Sequence, residues 1–192
     1  PDGTVDSGTI ATGTIVDADV ANVAASKLTG ALPAISGASL TGLTSAQMPT
    51  GSVLQVVRAE STGSSQSIST TAWTDLTGVT LTITPNSSSS KFLLMGSVHG
   101  NANPGSLAGF SFRFLRNGTA VHTPTGGHEA YYHDASSDWY ARIVKTKLDA
   151  PSTSSAITYK IQAQSHSTQT ITYNYGGNAR YASEIVVMEI VG

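Results

Sequence analysis

The segment from Val121 to Tyr140 concentrates side chains that could bind a ligand. It reads VHTPTGGHEAYYHDASSDWY and holds three of the five histidines, three tyrosines, a tryptophan and three acidic residues. Aromatic faces pack against the C–H surfaces of sugars at low entropic cost, while imidazoles and carboxylates hydrogen-bond to hydroxyl groups. The sequence therefore predicts a glycan contact at Tyr131, Tyr132, His133, Asp134 and Trp139. The alternative is that these aromatic residues pack between protomers or beneath the loop.

Two other charge patterns compete with the glycan interpretation. Histidines from three chains could surround a transition metal on a three-fold axis, or Glu129, Asp134 and Asp138 could hold Ca²⁺. Their spacing does not match an EF-hand loop, and we predict neither a metal nor a cofactor. A basic stripe would favour an anionic polysaccharide, although such residues more often form a solvated sheet face. Its members would be Arg113, Arg142, Lys145, Lys147 and Lys160.

Catalytic motifs are weak in this chain. Gly96–Gly100 (GSVHG) only resembles a Gly-x-Ser-x-Gly nucleophile motif and lies in a predicted buried strand. The chain contains no phosphate-binding loop and no His-Glu-x-x-His motif. Paired acids such as Asp134 and Asp138 cannot be told from surface acids by sequence. We therefore predict a protein that is not an enzyme.

Composition narrows the class of protein further. The 192-residue chain has a formal net charge of −2 and no cysteine, which argues against nucleic-acid binding and leaves stability to burial or oligomerisation. No apolar stretch approaches the ~18 residues of a membrane span, and no signal peptide is visible. The chain begins with Pro1 rather than Met, so we expect a processed product or a fragment.

The chain divides into two unlike parts near Met48–Gly51. Residues 1–50 contain no aromatic side chain, and their apolar residues recur every five positions. That spacing fits neither a straight helix nor a strand, but it suits a chain wound with two copies of itself. We predict an extended, trimeric stalk and neck over 1–50, with a short helix over Asp17–Lys27; the alternative is a disordered linker. The residues spaced by five are Val5, Ile10, Ile15 and Val20.

Residues 51–192 are predicted to form one head domain. Val79–Thr84 alternates apolar and polar residues, and Gly109–Arg116 places three phenylalanines on one face before the Asn117-Gly118 hairpin turn. Nine or ten such strands, with no helix, predict a mainly β fold: an antiparallel jelly-roll sandwich. The Val121–Tyr140 segment is named the Tyr/His loop. If Ser67–Asp75 is a full strand, this loop lies at the stalk end of the head; if it is not, the loop lies at the opposite end.

Two sets of motifs carry a family resemblance. The neck SKLTGALPAISGASLTGL, the following MPTGSVLQVV and the stalk segment GTIATGTIVDADV resemble bacteriophage tail-fibre and receptor-binding proteins, notably those of marine and cyanobacterial phages. The head resembles the jelly rolls of the tumour necrosis factor and complement head type through TLTITP, KFLLMGSV, FRFLRNGTAV and EIVVMEI. Together these motifs cover nearly the whole chain.

The resemblance implies a homotrimeric virion fibre or spike. Its N-terminal stalk would join other virion proteins, and its head would attach to a host-surface receptor, a glycan or a protein. It implies no nucleic-acid partner and no membrane insertion. The alternatives are a capsid-attached head fibre or decoration protein and a bacterial surface filament subunit.

Overall fold

The structure is a computed structural model of the chain. It describes residues 44–61, 63–102, 108–124, 129–132, 138–166, 169–177 and 179–192, and at Tyr131 and Tyr132 it describes the backbone. The predicted stalk, the five-residue repeat, the short helix and the neck motif SKLTGALPAISGASLTGL lie outside the described residues. The predicted boundary near Met48–Gly51 stays a prediction.

The described residues form a β sandwich of two antiparallel sheets with eleven strands. One sheet, sheet A, has the order β1-β11-β4-β10-β2, with β8 on the other edge of β4. The second, sheet B, has the order β3-β9-β5-β6, with β7 also paired to β5. The strands are β1 Val53–Glu60, β2 Gln66–Ile68, β3 Thr74–Ile83, β4 Lys91–Ala102, β5 Ala108–Arg116, β6 Thr119–His122, β7 Ala130–Tyr132, β8 Trp139–Asp149, β9 Ile157–Ser165, β10 Ile171–Tyr173 and β11 Glu184–Ile190.

The core lies between the sheets and follows the period-two alternation of the strands. Phe110, Phe112 and Phe114 of β5 are fully buried, as the sequence pattern predicts. They face β4, where a Cβ at Gly96 would lie 2.7 Å from the Phe114 ring. Glycine at this position of β4 is therefore what lets the phenylalanine rings of sheet B approach sheet A closely.

The two ends of the sandwich carry different segments. At the near end, where residues 44–52 lead into β1, Val191 N–H donates to the Ser52 carbonyl. The 84–90 turn, the 117–118 hairpin and the 150–156 turn also lie there, because Phe92 pairs with Asp149 and Arg116 with Tyr159. The far end holds the described residues of the segments 123–138 and 174–183.

Two strand predictions from the sequence need correction. Ser67–Asp75 is not one strand: β2 ends at Ile68, the chain bends over 70–72, and β3 begins at Thr74. In that case the sequence predicts the Tyr/His loop opposite the stalk, which lies outside the described residues; the described strand of this loop, β7, lies at the end opposite the 117–118 hairpin. The predicted strand Gln169–Tyr175 is limited to Ile171–Tyr173, because Asn174 adopts a left-handed φ of 55° and turns the chain out of the sheet.

The outward faces of the two sheets differ in polarity. In sheet A, one row across four strands is entirely apolar: Val56, Met188, Leu93 and Leu148. Near it, Val144 is 67% exposed. The outward face of sheet B instead carries hydroxyl, amide and charged groups: Asp75, Thr80, Thr82, Arg113, Thr158, Lys160 and Gln162. A sheet with one buried face normally turns polar residues outward, as sheet B does and as sheet A does only in part, for example in the row of Arg58 and Thr146.

Candidate functional site

Of the five residues that the sequence groups into a glycan contact, the structure describes the side chain of Trp139 and the backbone of Tyr131 and Tyr132. Tyr131 and Tyr132 lie on β7, paired with Gly109 and Ala108 at the far end. His133 and Asp134 lie outside the described residues. Trp139 begins β8 and turns toward the core, where its ring contacts Phe110 with centroids 5.9 Å apart. The tryptophan therefore packs against the interior in this structure, as the alternative interpretation of the segment expected for its aromatic residues.

A different aromatic cluster occupies the far end on the outward face of sheet A. We name it the far-end cluster: His99, Tyr140, Tyr175 and Tyr181. Tyr140 and Tyr181 stack with ring centroids 5.7 Å apart and an interplanar angle of 22°. Tyr175 meets Tyr140 edge-on at 5.7 Å. Tyr140 is 43% exposed and Tyr175 is 38% exposed, so the cluster presents ring faces and edges to solvent.

The cluster is assembled where β4 exchanges one neighbouring strand for another. β11 pairs with Lys91–Ser97 of β4, and β10 pairs with Gly100–Ala102. Between β10 and β11, the chain passes through two short 3₁₀ turns that carry Tyr175 and Tyr181. Positive φ angles at Gly176 and Gly177 allow this path.

Hydrogen bonds hold both ends of that connecting segment against the sheet. Asn174 Nδ2 donates to the Ser64 carbonyl at 2.8 Å. At the other end, the backbone N–H of His99 donates to Ser183 Oγ at 3.1 Å. The aromatic residues of the segment are therefore positioned by fixed backbone points on either side.

His99 forms the floor of the cluster. Its ring lies 4.6 Å from the Tyr181 ring, and the residue is 6% exposed. Burial, together with the charge of Arg142, lowers the pKa of His99 to about 4, so the ring is neutral at physiological pH. Within the part of the chain that the structure describes, His99 Nδ1 has no hydrogen-bond partner.

Arg142 borders the cluster on β8, directly opposite His99. One guanidinium N–H donates to Ser97 Oγ at 2.9 Å and another to the Arg180 carbonyl at 3.0 Å. The Arg180 guanidinium lies 5.7 Å from the Tyr181 ring centroid. Aromatic faces, a neutral imidazole and two guanidinium groups thus meet on one surface.

The predicted basic stripe does not form a continuous surface. Lys145 points between the sheets and pairs with Glu129, and Lys160 pairs with Asp75 on sheet B. Arg113 lies 4.6 Å above the Trp73 ring, also on sheet B. Of the proposed stripe, Arg142 alone borders the far-end cluster.

Three features of the described ranges concern metal binding and catalysis. There, no three His, Asp or Glu side chains lie close enough together to hold a metal ion. Ser111 Oγ lies 2.7 Å from His166 Nε2, which resembles a nucleophile and its base, but Ser111 is fully buried. The cavity beside Ser61 and Asn174 measures about 10 Å³, room for one water.

Comparison with protein-family models and with curated protein sequences found no match. In the described part of the chain, no helix has the length and apolar character needed to span a membrane.

The sequence contained one usable signal for the far-end cluster. Along β8, residues alternate sides, so Tyr140 and Arg142 point outward whenever Trp139 points inward. Their partners are remote in sequence: Tyr175 and Tyr181 follow β10, and His99 belongs to β4. Only the pairing of β4 with both β8 and β10 brings them together.

Proposed function

We propose that the chain is a non-enzymatic structural protein of a virion, a fibre or spike whose head attaches to a host-surface glycan. The observation that carries this proposal is the far-end cluster, exposed at the end opposite the 44–52 segment. Residues 1–50 would form the stalk that joins other virion proteins. A head that binds with its far end leaves its near end free for that attachment.

The strand order supports a jelly roll within the sandwich. Without the short β2, β7 and β10, sheet A has the order β1-β11-β4-β8 and sheet B the order β3-β9-β5-β6. In a jelly roll of eight strands, the first pairs with the last and the second with the seventh, and so on inward. β1 with β11 and β3 with β9 follow that rule.

A homotrimer is supported by the neck resemblance and by the apolar outward face of sheet A. Several of its valines and leucines are half-exposed or more in the single chain. Extended apolar surface of this kind marks interaction sites in soluble proteins. The capsid-attached fibre and the bacterial filament subunit stay as alternatives, since both would use the same face and the same exposed end.

The test is binding to an array of bacterial surface glycans. The double variant Tyr140→Ala/Tyr175→Ala should lose roughly tenfold or more in affinity, because stacking residues contribute about 1–3 kcal/mol. Trp73→Ala removes an aromatic residue from sheet B instead and should bind normally. Tyr132→Ala, which tests the site predicted from sequence, belongs in the same series.

Two outcomes would contradict the proposal. One is a folded protein that binds no glycan of the array and does not adsorb to bacterial cells. The other is a double variant that retains full binding while Tyr132→Ala loses it, which would move the site to the 123–138 segment.

A further inference from the structure

We propose that the far-end cluster selects saccharides that carry an anionic group, and that Arg142 contacts that group. This inference rests on the proposed glycan-binding function and specifies its ligand class. A ring of the sugar would lie against the tyrosine faces, and its carboxylate or phosphate would lie against the guanidinium.

The partners of Arg142 set it apart from other cations of the head. Its two hydrogen bonds go to a serine hydroxyl and a backbone carbonyl, both of which are neutral. Among the described residues, no carboxylate forms an ion pair with it. The cations that do have a carboxylate partner are Arg58, Arg116, Lys145 and Lys160.

These two bonds also orient the guanidinium. Arginine has five N–H donors, and the bonds to Ser97 and to the Arg180 carbonyl use two of them. The group is exposed, so its remaining donors can reach a ligand. An arginine held in place loses little further entropy when it binds an anion in a bidentate manner.

The surroundings add positive charge and remove competing acids. The Arg180 guanidinium stands over Tyr181, and His99 beneath is neutral. Glu184, in the adjacent row of sheet A, is already hydrogen-bonded to Arg58 at 2.9 Å. Among the described residues, Asp138 is an acidic residue that acts electrostatically on Tyr140.

The experiment compares three saccharides of equal length on the whole chain: a uronic-acid oligosaccharide, a phosphorylated one and a neutral glucan. Affinity for at least one anionic saccharide should exceed that for the glucan roughly tenfold. The affinity for that anionic saccharide should fall as salt rises from 50 to 300 mM, because salt screens the charge. Arg142→Gln should abolish this preference, and Arg142→Lys should keep part of it. Arg113→Gln, on sheet B, is the matched control and should change nothing.

The uronic-acid and phosphate arms identify which anion is recognised. Equal affinity for all three saccharides, or a preference that survives in folded Arg142→Gln, would overturn the anionic selectivity and leave glycan attachment standing. Failure of every saccharide to bind a folded protein would overturn both. Circular dichroism of each variant checks that it is folded.

Discussion

Glu189 is a fully buried carboxylate at the near end of the sandwich. It accepts hydrogen bonds from Gln55 Nε2 at 2.6 Å, from the Asn86 backbone N–H at 2.6 Å and from Asn86 Nδ2 at 2.7 Å. Ser90 Oγ donates a fourth bond at 2.6 Å. Burial opposes ionisation, but the bonds from Ser90, Gln55 and Asn86 outweigh it and lower the pKa of Glu189. One side chain thus fixes β1, β11 and the 84–90 turn together.

Replacing this carboxylate should cost stability. In Glu189→Gln, one acceptor oxygen becomes an NH₂ group that faces two donors, so we expect a loss of about 3 kcal/mol in the free energy of unfolding. The matched control is Glu184→Gln on the same strand, where an exposed ion pair with Arg58 contributes at most about 1 kcal/mol. Urea unfolding measures both.

The pH dependence gives a second readout of the same variant. Because the pKa of Glu189 is lower in the folded state, its stabilisation is present above the unfolded value of 4.5 and is lost as pH falls below that value. Between pH 5 and 3, Glu189→Gln should therefore lose less stability than the wild type does. An equal loss would show that the pKa of Glu189 is the same in the folded and unfolded states.

The sequence assigns Trp139 to the glycan contact, whereas the site proposed from the structure uses the adjacent residue Tyr140. Trp139 is the larger aromatic residue, yet it packs on Phe110, and its neighbour Tyr140 faces solvent. A single shift of register exchanges the two faces of a strand, so composition alone cannot decide between adjacent aromatic residues.

β4 is the element on which the sandwich depends most. It pairs with β8 along its whole length and with both β11 and β10 on its other edge. Gly96 and Gly100 face the phenylalanine rings of β5 at distances that exclude a Cβ. A side chain at either of these two positions of β4 would overlap the phenylalanine rings of β5.

Gly96→Ala should destabilise the head. An added Cβ would lie 2.7–2.9 Å from the rings of Phe112 and Phe114, and relieving this overlap costs about 1–3 kcal/mol. In an unobstructed strand the same change would be neutral or favourable, so the sign of the effect is diagnostic. Thr146→Ala, on the exposed face of β8, serves as control and should stay within about 0.5 kcal/mol. Thermal unfolding that ranks Gly96→Ala above wild type would refute the packing account.

The strands could be predicted from the sequence where apolar and polar residues alternate strictly or where a hairpin turn pair is present. The hairpin at Asn117-Gly118 has positive φ at both residues, 48° and 84°, as its sequence requires. The prediction of a strand over Ser67–Asp75 was wrong because short polar residues favour bends as readily as strands. β7 was missed inside an irregular segment, since three residues give no periodicity to read.

At the scale of the whole molecule, the outward face of sheet A supports assembly. Val144 borders a groove of about 180 Å³ that Met95 and Val186 also line. Leu148 lies on the same strand and is 53% exposed. An apolar side chain of a second copy could fill such a groove, and burying it would stabilise the contact in proportion to the apolar area removed from water.

The double variant Val144→Lys/Leu148→Lys should weaken self-association without unfolding the head, since both side chains are already exposed. Light scattering of the wild-type chain at micromolar concentration should give three chain masses, and the variant should shift toward one. Thr82→Lys introduces a charge on sheet B and should leave the mass unchanged. A wild-type monomer would refute the homotrimer. A trimeric variant would instead assign assembly to residues 1–50.

The opposition of the two ends has an evolutionary consequence. The near-end turns are tied into the sheets by ladders and by Glu189, so their lengths are constrained. At the far end, the described residues of 174–183 connect β10 to β11 and lie outside the ladders that pair the long strands. If the head attaches to its host through this end, as proposed, related proteins adapting to new hosts should diverge first in this segment, and grafting it onto another copy of this sandwich should transfer host range.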